Sequence, residues 1–188
     1  RQICCEPRML YENYKGESTK FTMCLELIET LKENGKKVLL FSSFTSIFDS
    51  FIEEFNQRGI KYHMITGAVD KKKRKEEVDA FQSDDSDVFL ISLKAGGTGL
   101  NLTKAQAVIH YDPWWNVSAQ NQATDRAYRI GQTKNVLVYQ LLMKNTIEAK
   151  IYEMQKRKKE MSDIFVENSN GGISTLSKEE LRDLFSME

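Results

Sequence analysis

Residues 35–67 read GKKVLLFSSFTSIFDSFIEEFNQRGIKYHMITG, and the pattern of this stretch indicates the fold class. Val38–Phe41 is a short apolar run after a glycine and two lysines, which predicts a buried strand. Apolar residues then recur at helical spacing through Thr45–Arg58, and Gly59 is a residue type that ends helices. Lys61–Ile65 predicts a second strand. A strand, a helix and a strand in succession are typical of a right-handed crossover between parallel strands.

The same alternation continues on both sides of this unit. Strands separated by helices predict an α/β fold, with a mostly parallel sheet and helices on both faces. Ligands of such sheets bind beyond the carboxyl ends of the strands, so we expect the site in the loops after Phe41, Ile65, Ser92 and Tyr111. The pattern predicts further helices over 18–34 (capped by Ser18), 70–82 (capped by Asp70) and from Asn116 or Ser118 to Ile130, and further strands over 88–92, 107–111 and 136–142.

Residues 145–188 have a different pattern. Asn145 with Glu148 resembles a helix-capping box, which predicts a long charged helix to about Val166. Residues 167–174 are rich in Asn, Ser and Gly and are typical of a linker. The predicted division is the end of a preceding helical region (1–17), an α/β lobe (18–144), and a C-terminal extension (145–188) with a short last helix from Ser177.

Composition excludes several classes of protein. Lys plus Arg and Asp plus Glu each number 27, and a net charge of zero argues against a protein that works only by coating DNA. A basic groove can still coexist with an acidic face. The three cysteines favour reduced thiols over a disulfide framework or a four-ligand zinc site, so we expect no metal bound by this chain. We also expect no membrane span, because no apolar run reaches roughly 18 residues.

The segment Gln122-Ala-Thr-Asp-Arg-Ala-Tyr-Arg129 contains two arginines at a spacing of three, Arg126 and Arg129. A helix would place both on one face, where the guanidinium groups repel unless an anion lies between them. A polyphosphate is a natural partner, because arginine donates paired hydrogen bonds to phosphate oxygens. The alternative is a solvated face with an Asp125–Arg129 ion pair, and spacing alone leaves both open.

The segment Ser92-Leu-Lys-Ala-Gly-Gly-Thr-Gly-Leu-Asn101 follows a predicted strand directly. Three glycines in four positions suggest a backbone that approaches a ligand closely, and exposed N–H groups in such a turn can hold an anion. The alternative is a flexible turn. The chain contains no Walker A sequence, so this is not the primary nucleotide-binding loop.

The segment Tyr111-Asp-Pro-Trp-Trp-Asn116 places Trp114 and Trp115 side by side. Two adjacent tryptophans cannot both point inward from one helix face, so we expect one of them near the surface, for stacking or for packing against a partner. Packing of both in the core, against different elements, is the alternative.

These segments occur in a characteristic order. GKKVLLFSSF, ITG, ISLKAGGTGLNL, YDPWWN and QATDRAYRIGQ together resemble the C-terminal helicase motifs of the Swi/Snf family of superfamily-two ATPases. The resemblance covers roughly residues 1–160. It implies a RecA-like three-layer α/β/α lobe that closes on an N-terminal motor lobe of the same polypeptide. That other lobe would supply the Walker residues and Mg²⁺, with ATP bound in the cleft and duplex DNA as the track.

The resemblance also implies roles for particular residues. Arg126 and Arg129 would be arginine fingers, with Gln122 beside them. Gly99, Asn101 and Asp125 would line the nucleotide side. The residues implied at the DNA are Ser43, Thr66, Gly67, Lys94, Gly96, Gly97, Trp114 and Trp115.

Two positions depart from the family pattern: Val117 stands where proline is common, and Tyr128 where eukaryotic members often have histidine. The Trp-Trp pair and the compact layout resemble bacterial members of the family. This resemblance predicts a cytoplasmic or nucleoid protein (nuclear if eukaryotic) and a DNA-bound partner such as RNA polymerase. The sequence lacks a starting methionine, and we expect a piece of a longer protein that is inactive in ATP hydrolysis by itself. The alternatives are a non-catalytic interaction module and an unwinding RNA or DNA helicase.

The sequence also contains two basic runs and two histidines. Lys71–Lys75 is either a solvated face or an aid to DNA attraction. Lys156–Lys159 lies on the long C-terminal helix, which the resemblance suggests braces the two lobes. His63 and His110 fall in predicted strands and are expected to be structural.

Overall fold

The computed structural model describes residues 1–11, 13–96, 100–114 and 135–169. A 3₁₀ turn, Pro7–Met9, follows the first helix. The helices are α1 (Gln2–Cys5), α2 (Thr19–Glu33), α3 (Ile47–Arg58), α4 (Lys71–Ser83), α5 (Leu93–Gly96) and α6 (Ile147–Ser169), and the strands are β1 (Lys37–Ser42), β2 (Tyr62–Ile65), β3 (Val88–Ser92), β4 (Ala105–His110) and β5 (Leu137–Gln140).

The five strands form one sheet in the order β2-β3-β1-β4-β5, and every pair is parallel. β1 is central because its residues are apolar on both sides of the strand: Val38 and Leu40 contribute to one core and Leu39 and Phe41 to the other. The predicted α/β class is confirmed.

A layer of helices covers each face of the sheet. On one face, α2 and α3 form the first core, where the rings of Phe21 and Phe51 lie 4.7 Å apart. On the other face, α4 and the segment after β3 form the second core, in which Phe81 and Phe89 lie 5.0 Å apart. This is the three-layer RecA-like arrangement that the motifs implied. Burial of these rings, together with the aliphatic residues of both cores, is the dominant favourable contribution to the folding free energy of the lobe.

The chain divides into two compact units, Arg1–Ile151 and Tyr152–Glu188. The domain boundaries that we placed after residues 17 and 144 stay predictions. In the described part of the chain, no helix is long and apolar enough to cross a membrane.

The helix ends test the capping predictions. Asp70 caps α4 as predicted, because its carboxylate accepts the backbone N–H groups of Lys72 and Lys73 at 2.8 and 2.9 Å. Ser18 precedes α2, but the prediction that its side chain caps the helix was wrong: its hydroxyl donates to the carbonyl of Cys5, 3.4 Å away. A tertiary contact has replaced the local one.

The capping box of Asn145 and Glu148 was also wrong. Helix α6 begins one residue later than that box requires, and the Thr146 hydroxyl accepts the Glu148 N–H at 3.2 Å. The Glu148 carboxylate accepts the Met143 N–H instead, at 3.0 Å. Helix α6 also continues to Ser169, past its predicted end at Val166, because three residues without Gly or Pro cost a helix little. The predicted helices over 116–130 and from Ser177 lie outside the described residues.

Candidate functional site

Because all five strands are parallel, their carboxyl ends meet at one edge of the sheet. The loops after β2, β3, β1 and β4 therefore lie along that edge in this order. Ser43 follows β1, Thr66 and Gly67 follow β2, and Trp114 lies beyond β4. Lys94 and Gly96 belong to α5, directly after β3. The fold thus brings the described part of the predicted DNA side to one edge.

A buried carboxylate joins two of these loops. Asp112, which is 1% exposed, accepts a hydrogen bond from the Ser42 hydroxyl at 2.7 Å and one from the Ser43 N–H at 3.0 Å, both on Oδ1. The Ser43 hydroxyl donates to Oδ2. Three donors from the end of β1 thus hold an aspartate that follows β4. Hydrogen bonds to a charged acceptor are stronger than neutral ones, so this carboxylate fixes the two loops to each other.

Arg1 completes the charge balance of this carboxylate. Its guanidinium lies 3.0 Å from Asp112 Oδ2, donates to the Pro113 carbonyl, and sits 5.3 Å from the centre of the Phe44 ring. A buried carboxylate is costly unless it is paired, and Arg1 supplies the counter-charge. The Ser43 side chain is consequently held by Asp112 and Arg1 rather than free at the surface.

The loop after β2 is open. The Val69 N–H donates to the Thr66 carbonyl at 3.2 Å and closes a turn. Gly67 in this turn is exposed, a Cβ built there would meet nothing within 4 Å, and its φ is not positive. Neither backbone strain nor crowding within the chain requires glycine at this position.

The segment after β3 is anchored at both described ends. Leu93 and Ala95 on one side, and Leu100 and Leu102 on the other, are buried in the second core. Asn101 between the last two is exposed, and its carbonyl accepts a hydrogen bond from Gln82 Nε2 at 3.2 Å. The four leucine and alanine anchors fix the ends of the glycine-rich segment on the sheet.

The tryptophan pair lies only partly within the described part of the chain. The half-buried Trp114 packs against the second core, which both interpretations of the tryptophan pair allow. The predicted site residues Gly97, Gly99, Trp115, Gln122, Asp125, Arg126 and Arg129 lie outside the described residues.

Two further buried polar groups lie behind this edge. Burial lowers the pKa of His110 to about 4, against the opposite effect of Asp112, so the imidazole in β4 is neutral at pH 7. The Tyr111 hydroxyl donates to the Cys5 carbonyl at 2.6 Å, and burial raises the pKa of this phenol far above its ordinary value. Both groups serve the packing of β4 and the segment after it.

Sequence reasoning missed Asp112, Lys20 and Glu148. Asp112 had a signal, because it directly follows an apolar strand at the edge where ligands are expected. Lys20 also had one: it is four residues before Cys24, on the apolar stripe of α2. A lysine in such a stripe calls for an anionic partner, and that partner is Glu148.

Comparison with known proteins identifies the chain. The helicase conserved C-terminal domain matches residues 19–131. The SWI2/SNF2 ATPase core of Sulfolobus solfataricus, solved in complex with dsDNA, superposes with a TM-score of 0.73 at 33% identity, covering 100% of this chain and 40% of that one. The chain belongs to the Swi2/Snf2 family of helicase-like ATPases. It corresponds to the C-terminal RecA-like lobe of that family.

The curated relatives of the chain include proteins named as helicases. The chain is 42% identical over 190 residues to an ATP-dependent helicase of Mycoplasma pneumoniae, covering 98% of this chain and 18% of that protein. It is 38% identical over 169 residues to the lymphoid-specific helicase of Homo sapiens, covering 88% of this chain and 20% of that protein. The chain therefore spans about a fifth of the length of these relatives.

Proposed function

We propose that this chain is the second motor lobe of an ATP-dependent translocase that moves along duplex DNA. The observation that carries the proposal is the single edge of the sheet where the loops after β1, β2, β3 and β4 meet. A relative of the same fold was solved with dsDNA, which supports duplex DNA as the track.

The DNA side of the proposed lobe begins at this edge. Asp112 fixes Ser43, so the backbone after β1 is presented rigidly to a partner. Gly67 is exposed without an internal reason to be glycine, which suits close approach of a phosphate. We assign the DNA-facing role to Ser43, Thr66, Gly67, Lys94, Gly96, Gly97, Trp114 and Trp115.

The ATP side of the proposed lobe is assigned from the motifs. Arg126 and Arg129, with Gln122, would stabilise charge at the γ-phosphate, while Gly99, Asn101 and Asp125 would line the nucleotide. The residues that the structure describes contain no group of three His, Cys, Asp or Glu side chains placed to hold a metal. We assign Mg²⁺ to the N-terminal lobe of the same polypeptide because the family resemblance implies that the Walker residues belong to that lobe, which would also carry most of the ATP contacts.

The test is ATP turnover by the full-length protein with and without duplex DNA. We expect DNA to stimulate the wild type and Arg126→Ala to lose at least about a hundredfold in rate, because an arginine finger stabilises transition-state charge. Arg58→Ala is the matched control, because this arginine is exposed at the end of α3, away from the loops that follow the strands, and the variant should turn over ATP at the wild-type rate. An unaffected Arg126→Ala enzyme, or no stimulation by DNA, would contradict the motor and favour a non-catalytic interaction module.

A further inference from the structure

Four lysines stand in the first five residues of α4: Lys71, Lys72, Lys73 and Lys75, the lysine cluster. All four are exposed. Arg74 lies among them but is half-buried, and its guanidinium donates to the Val69 carbonyl at 3.1 Å. The lysines therefore present a surface of positive charge, while the arginine is used within the fold.

The lysine cluster has no acidic partner among the described residues. None of its members forms an ion pair there. Glu77 is four residues after Lys73, where an ion pair is sterically easy, but its carboxylate binds His63 Nδ1 at 2.7 Å. One carboxylate oxygen of Asp70 accepts hydrogen bonds from two backbone N–H groups of α4. Glu77 and Asp70 are thus engaged elsewhere, while Glu76 and Asp79, four residues after Lys72 and Lys75, are exposed and form no ion pair with them in the described structure.

This placement is unfavourable for the isolated lobe. The N-terminus of a helix carries partial positive charge, so cations there are destabilising, and the first turn of α4 contains no acidic residue. Lys71 and Lys75 are four apart and share a face, where like charges repel. An external anion would relieve both effects.

The lysine cluster lies at the functional edge of the sheet. Helix α4 begins six residues after the end of β2, directly beyond Thr66 and Gly67. At the opposite edge, Lys37 in β1 lies 3.4 Å from Asp84 Oδ1, and Lys61, just before β2, pairs with Asp85. Lys36 and Lys104 at that edge form no ion pair among the described residues, but they stand singly before β1 and β4. The lysine cluster therefore puts four unpaired positive charges together at the loop edge, although the net charge of the chain is zero.

We propose that the lysine cluster is an additional binding surface for the phosphate backbone of duplex DNA. It would extend the DNA side from Thr66 and Gly67 onto the first turn of α4. The inference rests on the proposed function. Ammonium groups neutralise phosphates as point charges and release counterions, so the contact adds affinity without sequence preference.

The experiment compares salt-dependent binding of a duplex by the full-length protein and two triple variants. The first is Lys71→Gln, Lys72→Gln and Lys75→Gln. The control is Lys36→Gln, Lys61→Gln and Lys104→Gln, which removes the same charge at the amino ends of β1, β2 and β4. Fluorescence anisotropy between 50 and 200 mM salt gives the slope of log K against log salt.

We expect the cluster variant to lower the magnitude of that slope by about 2.7, which is three contacts at roughly 0.9 each. It should unfold at the wild-type temperature or above, because the repulsion at the start of α4 is relieved. The control should keep the wild-type slope. An unchanged slope in the cluster variant, or an equal change in the control, overturns the inference and leaves the motor proposal standing. A wild-type protein that does not bind duplex DNA at 50 mM salt contradicts both.

Discussion

Lys20 Nζ lies 2.7 and 2.8 Å from the two carboxylate oxygens of Glu148, and both side chains are buried. The two residues are 128 positions apart. The lysine belongs to the first turn of α2 and also lies 5.0 Å from the centre of the Tyr111 ring. The glutamate belongs to the first turn of α6. This ion pair therefore fastens the start of the C-terminal helix to the lobe.

Lys20→Met should destabilise the lobe by about 3–5 kcal/mol, because it leaves the Glu148 carboxylate buried and unpaired. The double variant with Glu148→Gln should recover much of this loss, since glutamine is neutral and still accepts the Met143 N–H. Lys150→Met, at an exposed position of α6, is the control and should cost less than about 0.5 kcal/mol. Urea unfolding of these three variants and of Glu148→Gln alone completes the cycle, and additive losses in the double variant would refute the coupling.

Asp112→Asn should lower the free energy of unfolding by about 1–3 kcal/mol. The amide keeps the volume but offers one acceptor oxygen where Ser42, Ser43 and Arg1 now bind two. Asp79→Asn, an exposed aspartate on α4, should be close to neutral. If Asp112→Asn unfolds at the wild-type denaturant concentration, the carboxylate does not hold the two loops together.

His63 predicts a pH dependence of stability. Burial alone would lower its pKa, but hydrogen bonds to Asp84 and Glu77, each at 2.7 Å, raise it above the ordinary value. A raised folded-state pKa stabilises the protein fully below about pH 6.5, and this contribution disappears as the pH rises through the folded-state pKa. The difference in unfolding free energy between wild type and His63→Gln should therefore be larger at about pH 5.5 than at about pH 8. A difference that is constant with pH would refute a charged imidazole.

Asp84 gives the opposite dependence on the acid side. Burial would raise its pKa, but hydrogen bonds from Ser86 and His63 hold it well below the ordinary value. A lowered folded-state pKa stabilises the protein above the ordinary carboxyl range, and this contribution is lost as the pH falls through the folded-state pKa. Asp84→Asn should therefore destabilise most near neutral pH and progressively less in acid. Urea midpoints between about pH 3 and pH 7 measure this.

The chain by itself, at about 1 mM ATP with duplex DNA, should release no phosphate above the blank, because it contains no Walker A sequence. A coupled phosphate assay measures this. Robust turnover by the pure chain would contradict the assignment of the Walker residues to another lobe.

The three cysteines should differ in reactivity. Cys5 and Cys24 are fully buried, and burial raises both thiol pKa values, that of Cys5 to about 12. Cys4 is partly exposed. A disulfide reagent should therefore modify one thiol in the folded protein and three after unfolding. Rapid modification of all three in the folded state would contradict the burial of α1 and α2.

Local patterns in the sequence were sufficient for the strands. Val88–Ser92 was predicted with its observed bounds, because its short length and its Val, Phe and Ile content favour a strand over a buried helix segment. The strand predicted over 136–142 was placed correctly but is shorter, Leu137–Gln140. The Asp70 cap was equally local. The four loops at the functional edge followed from the parallel sheet, since parallel strands place their carboxyl ends together.

Long-range contacts account for what the sequence did not reveal. Ser18 and Glu148 fit local capping patterns, yet their side chains bind Cys5 and Lys20, which are far away along the chain. A capping motif competes with any stronger tertiary partner, and a buried ammonium group is a stronger partner than a backbone N–H. The salt-bridged position of Asp112 likewise depends on β1 and β4 being neighbours, which no local pattern encodes.

The strand order has a consequence for how the chain acquires its structure. The central strand β1 does not pair with β2, the next strand along the chain, but with β3 and β4: Val38 lies opposite Val88, and Leu39 opposite Val108. Long loops must close before these pairs form, so folding should be slow compared with that of a helical bundle. During synthesis, when only β1, α3 and β2 have left the ribosome, both edges of the apolar strand β1 are still unpaired. The nascent chain is therefore most prone to aggregation in that interval.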